Sequence, residues 1–274
     1  MMNKSRQRLW IAAGCAGMLG LTASCSQVPI TGRRQLNLVP DSTINSMSAD
    51  SYHEFMSAHK LSANGAQAEQ VGRVGRRIQQ AVERYAAEHE ISLKGYAWEF
   101  NLVEDAAVNA WCMPGGKVVV YTGLLPVARD DAGLAVVLGH EIAHAIAKHG
   151  GERMSQGLLV EMGGMALSEA LAQKPAQTRD LFVKSYGVGT QVGVLLPYSR
   201  QHELEADRMG LIFMALAGYD PHTAVDFWQR MAAGKKGSAP PELLSTHPAD
   251  AKRIGQIKEL LPEAMKYYGQ AQVK

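Results

Sequence analysis

Cysteine is scarce: three residues in 274, at positions 15, 25 and 112, spaced like no thiolate metal site. Net charge is nearly absent too, at a formal +2, and no stretch concentrates a basic face, which argues against a nucleic-acid partner. Beyond the first two dozen residues no apolar run is long enough to cross a bilayer, which counts against an intramembrane enzyme. There is no internal repeat. What remains is ordinary for a chain with a real core: 46% hydrophobic and 20% charged residues, enough for one sizeable domain or two small ones.

A local absence is more informative. Residues 1–24 hold Lys4, Arg6 and Arg8 but no acid, and without them the chain has 25 basic against 26 acidic residues. "MMNKSRQR" reads as a basic n-region and "LWIAAGCAGMLGLTA" as the apolar core of a signal peptide. "LTASC" then leads small residues into Cys25, which resembles the lipobox of bacterial lipoproteins, although Thr22 stands where an aliphatic residue is usual. The resemblance implies acylation of Cys25, with Ser26 after it as in lipoproteins sorted to the outer membrane, so the expected location is the periplasmic face of that membrane, lipid-anchored. Cys15 is a weaker acylation candidate, and Cys112 reads as a buried small hydrophobe.

The organisation expected is a signal peptide over 1–24, a lipid-anchored tether or irregular wrap over 25–45 and one domain over 46–274. The fold class is α+β, mostly helical. "EQVGRVGRRIQQAVERYAAE" puts Val71, Val74, Ile78, Val82 and Tyr85 on one helical face. "YAWEFNLVED" and "KVVVY" read as strands, the second preceded by the turn "PGG". Asp130 and Asp131 can cap a helix through "AGLAVVLGHEIAHAIAKH", a second begins near Ser199, and "PADAKRIGQIKELL" closes the chain.

The chemistry concentrates in "VVLGHEIAHAIAKHG". His140 and His144 lie one helical turn apart and can reach a single zinc ion, while Glu141, about 100° around the axis, can address water at the metal. The bland alternative is a surface helix with solvated histidines. A catalytic zinc needs a third protein ligand. A histidine ten residues after the first would be the metzincin solution, but Gly150 occupies that position and His149 is out of register. The other route is a carboxylate on a second helix: "YSRQHELEADRMG" offers Glu203 as ligand and, one turn on, Asp207 as acceptor for the second ring N–H of a ligating histidine. Glu205, about 200° from Glu203, is expected to face away.

With His140-Glu141-x-x-His144 and Ser199-Arg200-x-x-Glu203-x-x-Ala206-Asp207-x-x-Gly210, the chain resembles the gluzincin family of the CAAX prenyl endopeptidases and HtpX. Within it, the likeness is to the bacterial lipoprotein and Oma1-like members, through "PITGRRQLNLV", "VEDAAVNAWCMPGGKVVVYTGLL", "KHGGERMSQ" and "LLSTHPADAKRI". The resemblance implies a zincin-like domain, one Zn2+ per chain on His140, His144 and Glu203, and Glu141 as general base. It also implies a substrate class, misfolded or misassembled envelope proteins cleaved in the periplasm as quality control. The competing reading is a non-proteolytic zinc-binding chaperone or assembly factor for outer-membrane proteins.

His247, in "STHPAD", is the first candidate for an oxyanion donor or for a gate at the open zinc position; Arg253 and His202 are weaker ones. Substrate grip is expected from "GGKVVVY": Gly115 and Gly116 would admit another backbone, and an exposed edge at Val118, Val119 and Val120 would take an extended peptide as an added strand. Expected partners are therefore unfolded protein segments and, through the lipid, a membrane.

Overall fold

The computed structural model describes residues 25–186, 199–234 and 241–272. The architecture is α+β and mostly helical, with two small sheets. Strands β1 (Cys25–Gln27) and β2 (Arg34–Leu36) form an antiparallel hairpin. Helices α1 (Asp41–Ala58) and α2 (Gly65–Glu88) follow. The second sheet contains β3 (Glu99–Val103), β4 (Ala110–Met113) and β5 (Lys117–Tyr121), in the order β3-β5-β4. After a short turn, α3 (Leu125–Ala128), comes α4 (Asp131–Ile146), the helix of the two histidines. The remainder is α5 (His149–Val160), α6 (Leu167–Gln173), α7 (Pro175–Tyr186), α8 (Arg200–Leu216), α9 (Thr223–Gly234), the single turn α10 (Leu243–Thr246) and α11 (Ala251–Gln272). Among the described residues no helix is long and apolar enough to cross a membrane.

The three-stranded sheet separates two cores by the alternation of its side chains. Ala110, Cys112, Val118 and Val120 face a cluster with Val71, Val74 and Ile78 of α2 and Leu134, Leu138 and Ile142 of α4. Trp111, Met113, Val119 and Tyr121 face a second cluster with Tyr52 and Phe55 of α1, Met154 of α5 and Phe182 of α7. Helix α4 is therefore enclosed on every side, with all residues from Gly133 to Ile146 buried. That excludes the solvated-histidine reading. Asp130 caps α4 by accepting from Gly133 N at 2.8 Å, and Ser199 caps α8 by accepting from His202 N at 3.2 Å, each such cap being worth about 0.5–2 kcal/mol.

Two expectations are corrected here. The segment 25–45 is no loose tether. Val28 and Val39 are buried, Gln35 donates to the carbonyl of Ala147 at 2.9 Å, and α1 begins already at Asp41. Nor are Val118, Val119 and Val120 an exposed edge: β5 is the middle strand, parallel to β3 and antiparallel to β4. Gly115 and Gly116 do hold positive φ, at 80° and 82°, but their carbonyls already accept from Ala97 N and Glu99 N, and a Cβ at Gly116 would meet the Trp98 ring at 2.7 Å. The chain's own backbone takes the place expected for substrate. The expected signal peptide and Cys15 lie outside the described residues; Cys25 opens β1.

Helices α4 and α8 cross at two glycines. A Cβ on Gly139 would stand 2.8 Å from Gly210 O, and one on Gly210 would stand 2.8 Å from His140 N. Both neighbours are backbone and cannot turn aside. Gly210→Ala is expected to destabilise the protein by about 1–3 kcal/mol, because overpacking outweighs the better helix propensity of alanine, about 1 kcal/mol. Chemical denaturation measures this, and an unchanged midpoint would refute the close crossing.

Candidate metal centre

The crossing brings the two motifs together. His140, Glu141 and His144 on α4 and Glu203 and Asp207 on α8 are all buried, as is His247, which follows α10. One nitrogen or oxygen from each of His140, His144, Glu203 and His247 lies within 4.8 Å of the others. His144 Nε2 is 3.1 Å from His140 Nε2 and 3.3 Å from Glu203 Oε1. His247 Nδ1 is 2.9 Å from Glu203 Oε1 and 3.2 Å from His140 Nε2. His247 thus sits among the candidate donors, and the first turn of the last helix is capped by Asp250, accepting from Arg253 N at 2.8 Å.

Behind the donors, His140 Nδ1 lies 3.0 Å from Asp207 Oδ1. Arg253 grips Asp207 with two bonds of 2.8 Å, places Nη1 2.9 Å from Glu203 Oε2, and lies over the Trp228 ring at 3.7 Å from its centroid. On the far side of His144, His149 Nδ1 approaches His144 Nδ1 at 2.9 Å. His149 is wholly buried. Glu205 points away from the donors, as its helical angle requires, yet into a second buried network: Oε2 takes His149 Nε2 at 3.0 Å and Oε1 takes Arg33 Nε at 2.7 Å. His202 Nε2 turns to Glu152 Oε2 at 3.1 Å, away from the donor cluster. Arg33, Glu152 and Trp228 had not been singled out from the sequence. The signal available for Arg33 was only its place in "PITGRRQLNLV".

The protonation pattern suits a metal. Burial opposes ionisation of Glu203, but His247 and Arg253 outweigh it and hold the carboxyl well below its usual range. Asp207 is likewise held low against burial, chiefly by Arg253. Burial pushes the His144 imidazole well down, so it is neutral, and pushes the Glu141 carboxyl up. Burial also disfavours protonated His140, yet Asp207 and Glu203 more than compensate and raise it to about 9. Burial takes the Cys112 thiol well above its usual value, with Glu141 adding to the effect, so Cys112 is a thiol and not a ligand. Two buried oxygens, Glu141 Oε1 and Glu203 Oε2, accept no aligned hydrogen bond. Oxygens without an aligned donor, beside imidazoles and carboxylates gathered at one point, are what a divalent cation with three or four protein ligands would satisfy once His140 gives up its proton. The residues present fit the ion.

The model of the family described as "Peptidase family M48" matches residues 73–261. The mitochondrial metalloendopeptidase OMA1 of Schizosaccharomyces pombe is 37% identical over 245 residues, covering 86% of this chain and 66% of that protein. The mitochondrial metalloendopeptidase OMA1 of Homo sapiens is 29% identical, covering 97% of this chain and 52% of that one. The beta-barrel assembly-enhancing protease of Escherichia coli is 28% identical, covering 59% and 34%. The chain thus spans between about a third and two thirds of these relatives. The expected location, anchored at the periplasmic face of the outer membrane, is overturned by these relatives: the matches of highest identity among them carry mitochondrial names.

Because His140 is protonated below about pH 9 in the metal-free chain and must be neutral to ligate, metal uptake near neutral pH should release about one proton. Glu203 and His144 are already in their ligating forms and release none. Apparent affinity should therefore rise about tenfold per pH unit up to about 9 and then level. Calorimetry in buffers of different ionisation enthalpy reads the proton directly, and pH-independent affinity between 7 and 9 would contradict the assignment.

Proposed function

The chain belongs to peptidase family M48, and from that premise we propose that it is a zinc-dependent endopeptidase acting on misfolded or misassembled proteins. The observation that carries the reading is the buried donor set His140, His144 and Glu203 with Glu141 beside it, its Oε1 accepting no aligned hydrogen bond and standing 3.5 Å from His247 Nε2. A non-proteolytic zinc-binding chaperone would have no use for a buried carboxyl in that position, and burying it without an aligned hydrogen bond costs stability.

In this reading His140, His144 and Glu203 hold zinc, which supplies Lewis acidity toward a peptide carbonyl and toward water. Asp207, fixed by Arg253, keeps the proton of His140 on Nδ1 and leaves Nε2 to the metal. Glu141 Oε1 takes the proton of the attacking water and passes it to the departing amine; its raised pKa brings it toward the value a proton shuttle needs. His247 acts as the gate. Its Nδ1 lies among the ligand atoms, where a fourth protein donor closes a site that catalysis needs open.

The same segment also guards the substrate edge. Among the described residues β4 is paired on one side only, by β5, and it packs along α4. Leu243 N, in the turn that leads to His247, donates at 3.1 Å to the carbonyl of Val108, two residues before β4 begins. Moving residues 241–247 would free both the metal and the strand, and an extended peptide would then pair with β4 rather than β5.

The test uses the zinc-loaded full chain on casein, beside Glu141→Gln and His247→Ala. Glu141→Gln should keep its zinc and lose about 10²–10⁴ in rate. His247→Ala should keep zinc and cleave faster. A His247→Ala chain that is slower than wild type would make His247 an oxyanion donor instead of a gate, and zinc-loaded chains without any cleavage would favour the chaperone.

A further inference from the structure

His144 presents Nε2 to the metal donors, so its remaining proton is on Nδ1 when it ligates. The acceptor 2.9 Å away is His149 Nδ1. His149 must then carry its own proton on Nε2, where Glu205 Oε2 receives it at 3.0 Å. The other oxygen of Glu205 accepts from Arg33 Nε at 2.7 Å and from the Thr31 hydroxyl at 3.3 Å. Arg33 closes the chain on Glu152 with Nη1 at 2.9 Å and Nη2 at 2.7 Å, and Glu152 receives His202 Nε2, whose ring stacks on His149 at 4.5 Å.

Every bond in this series has a forced direction. Reversing the proton of His149 would put a proton on both facing Nδ1 atoms and leave Glu205 Oε2 without a donor. Two buried carboxylates and one arginine are costly to desolvate, and a plain hydrophobic filling would be no less stable. Their arrangement makes sense as orientation. We infer that Arg33, Glu205 and His149 form a positioning relay that holds His144 in its ligating tautomer and ring plane, so that the N-terminal strap of residues 28–36 is a working part of the metal centre. The inference rests on the metallopeptidase reading, because only a ligating His144 needs such a relay.

Arg33 touches none of the ligands, and its side chain is 18% exposed, so it tests the relay without disturbing the donors. Zinc affinity of the full chain, by competition with a chromophoric chelator, is compared for wild type, Arg33→Met, His149→Leu and His149→Gln. Thermal unfolding of each metal-free chain is followed in parallel. His149→Leu should weaken zinc binding about 10–100-fold, the range for lost partners of ligating histidines. Arg33→Met should weaken it in the same direction by a smaller factor, and His149→Gln, whose amide oxygen is again an acceptor, should recover part of the loss. Leu158→Ala, a core truncation away from the relay, should lower the unfolding temperature without altering affinity. Unchanged affinity in folded Arg33→Met and His149→Leu, or losses that track stability as in Leu158→Ala, would overturn the relay. A wild-type chain that takes up no zinc would instead overturn the metallopeptidase reading itself.

Discussion

Everything at the metal centre depends on how closely two helices can approach. Gly139 and Gly210 let α4 and α8 meet backbone to backbone, and the residues one step along each helix inherit that proximity. His140 follows Gly139 directly, and Asp207 lies one turn before Gly210, so the short contact between them follows from the crossing. Glu203 is one further turn back and reaches the same pair of histidines. A Cβ at either glycine would meet the backbone of the facing helix at 2.8 Å, so the helices would have to move apart.

Such proximity has an electrostatic cost that the rest of the chain offsets. Four carboxylates, Glu152, Glu203, Glu205 and Asp207, are buried within two linked networks, and each ion would be penalised by several kcal/mol if left alone. Two arginines answer them from opposite ends of the described chain. Arg253 neutralises Asp207 and Glu203 while resting on Trp228; Arg33 neutralises Glu152 and Glu205. Guanidinium suits both places because its fixed fork can satisfy two carboxylates at once. The first and last elements of the fold are thereby both tied to α8.

The legibility of this site in the sequence follows the range of each interaction. His140, Glu141 and His144 are related by helical geometry alone, and the Asp130 and Ser199 caps announce where the two helices start. Glu203 and Asp207 share a face for the same local reason, although joining them to α4 took a resemblance between families. Strand order was not legible. "KVVVY" has the composition of any buried strand, and only the parallel pairing with β3 makes β5 central and leaves β4, four residues long, at the edge. Glu205 was placed correctly around its helix axis, yet its angle could not reveal His149 and Arg33 waiting on that side. The segment around Arg33 looked like a tether because two prolines, a glycine and little periodicity describe a strap as well as a linker. Its anchoring is by side chains to residues more than a hundred positions away.

The two halves of the surround act on different ligands. Asp207 and Arg253 steady His140, while His149, Glu205 and Arg33 stand behind His144. His247 alone enters from a short turn, tied by the bond from Leu243 N to Val108 O, its own backbone bond to Leu243 O, and burial of Leu243 and Leu244 in the larger core. His140, His144 and Glu203, by contrast, stand on two long crossing helices and are held by paired charges. The candidate donors thus come from two kinds of support, three from long helices and one from a single turn. The gate proposed for His247 rests on that difference, which follows from which side chains sit on helices and which on a turn.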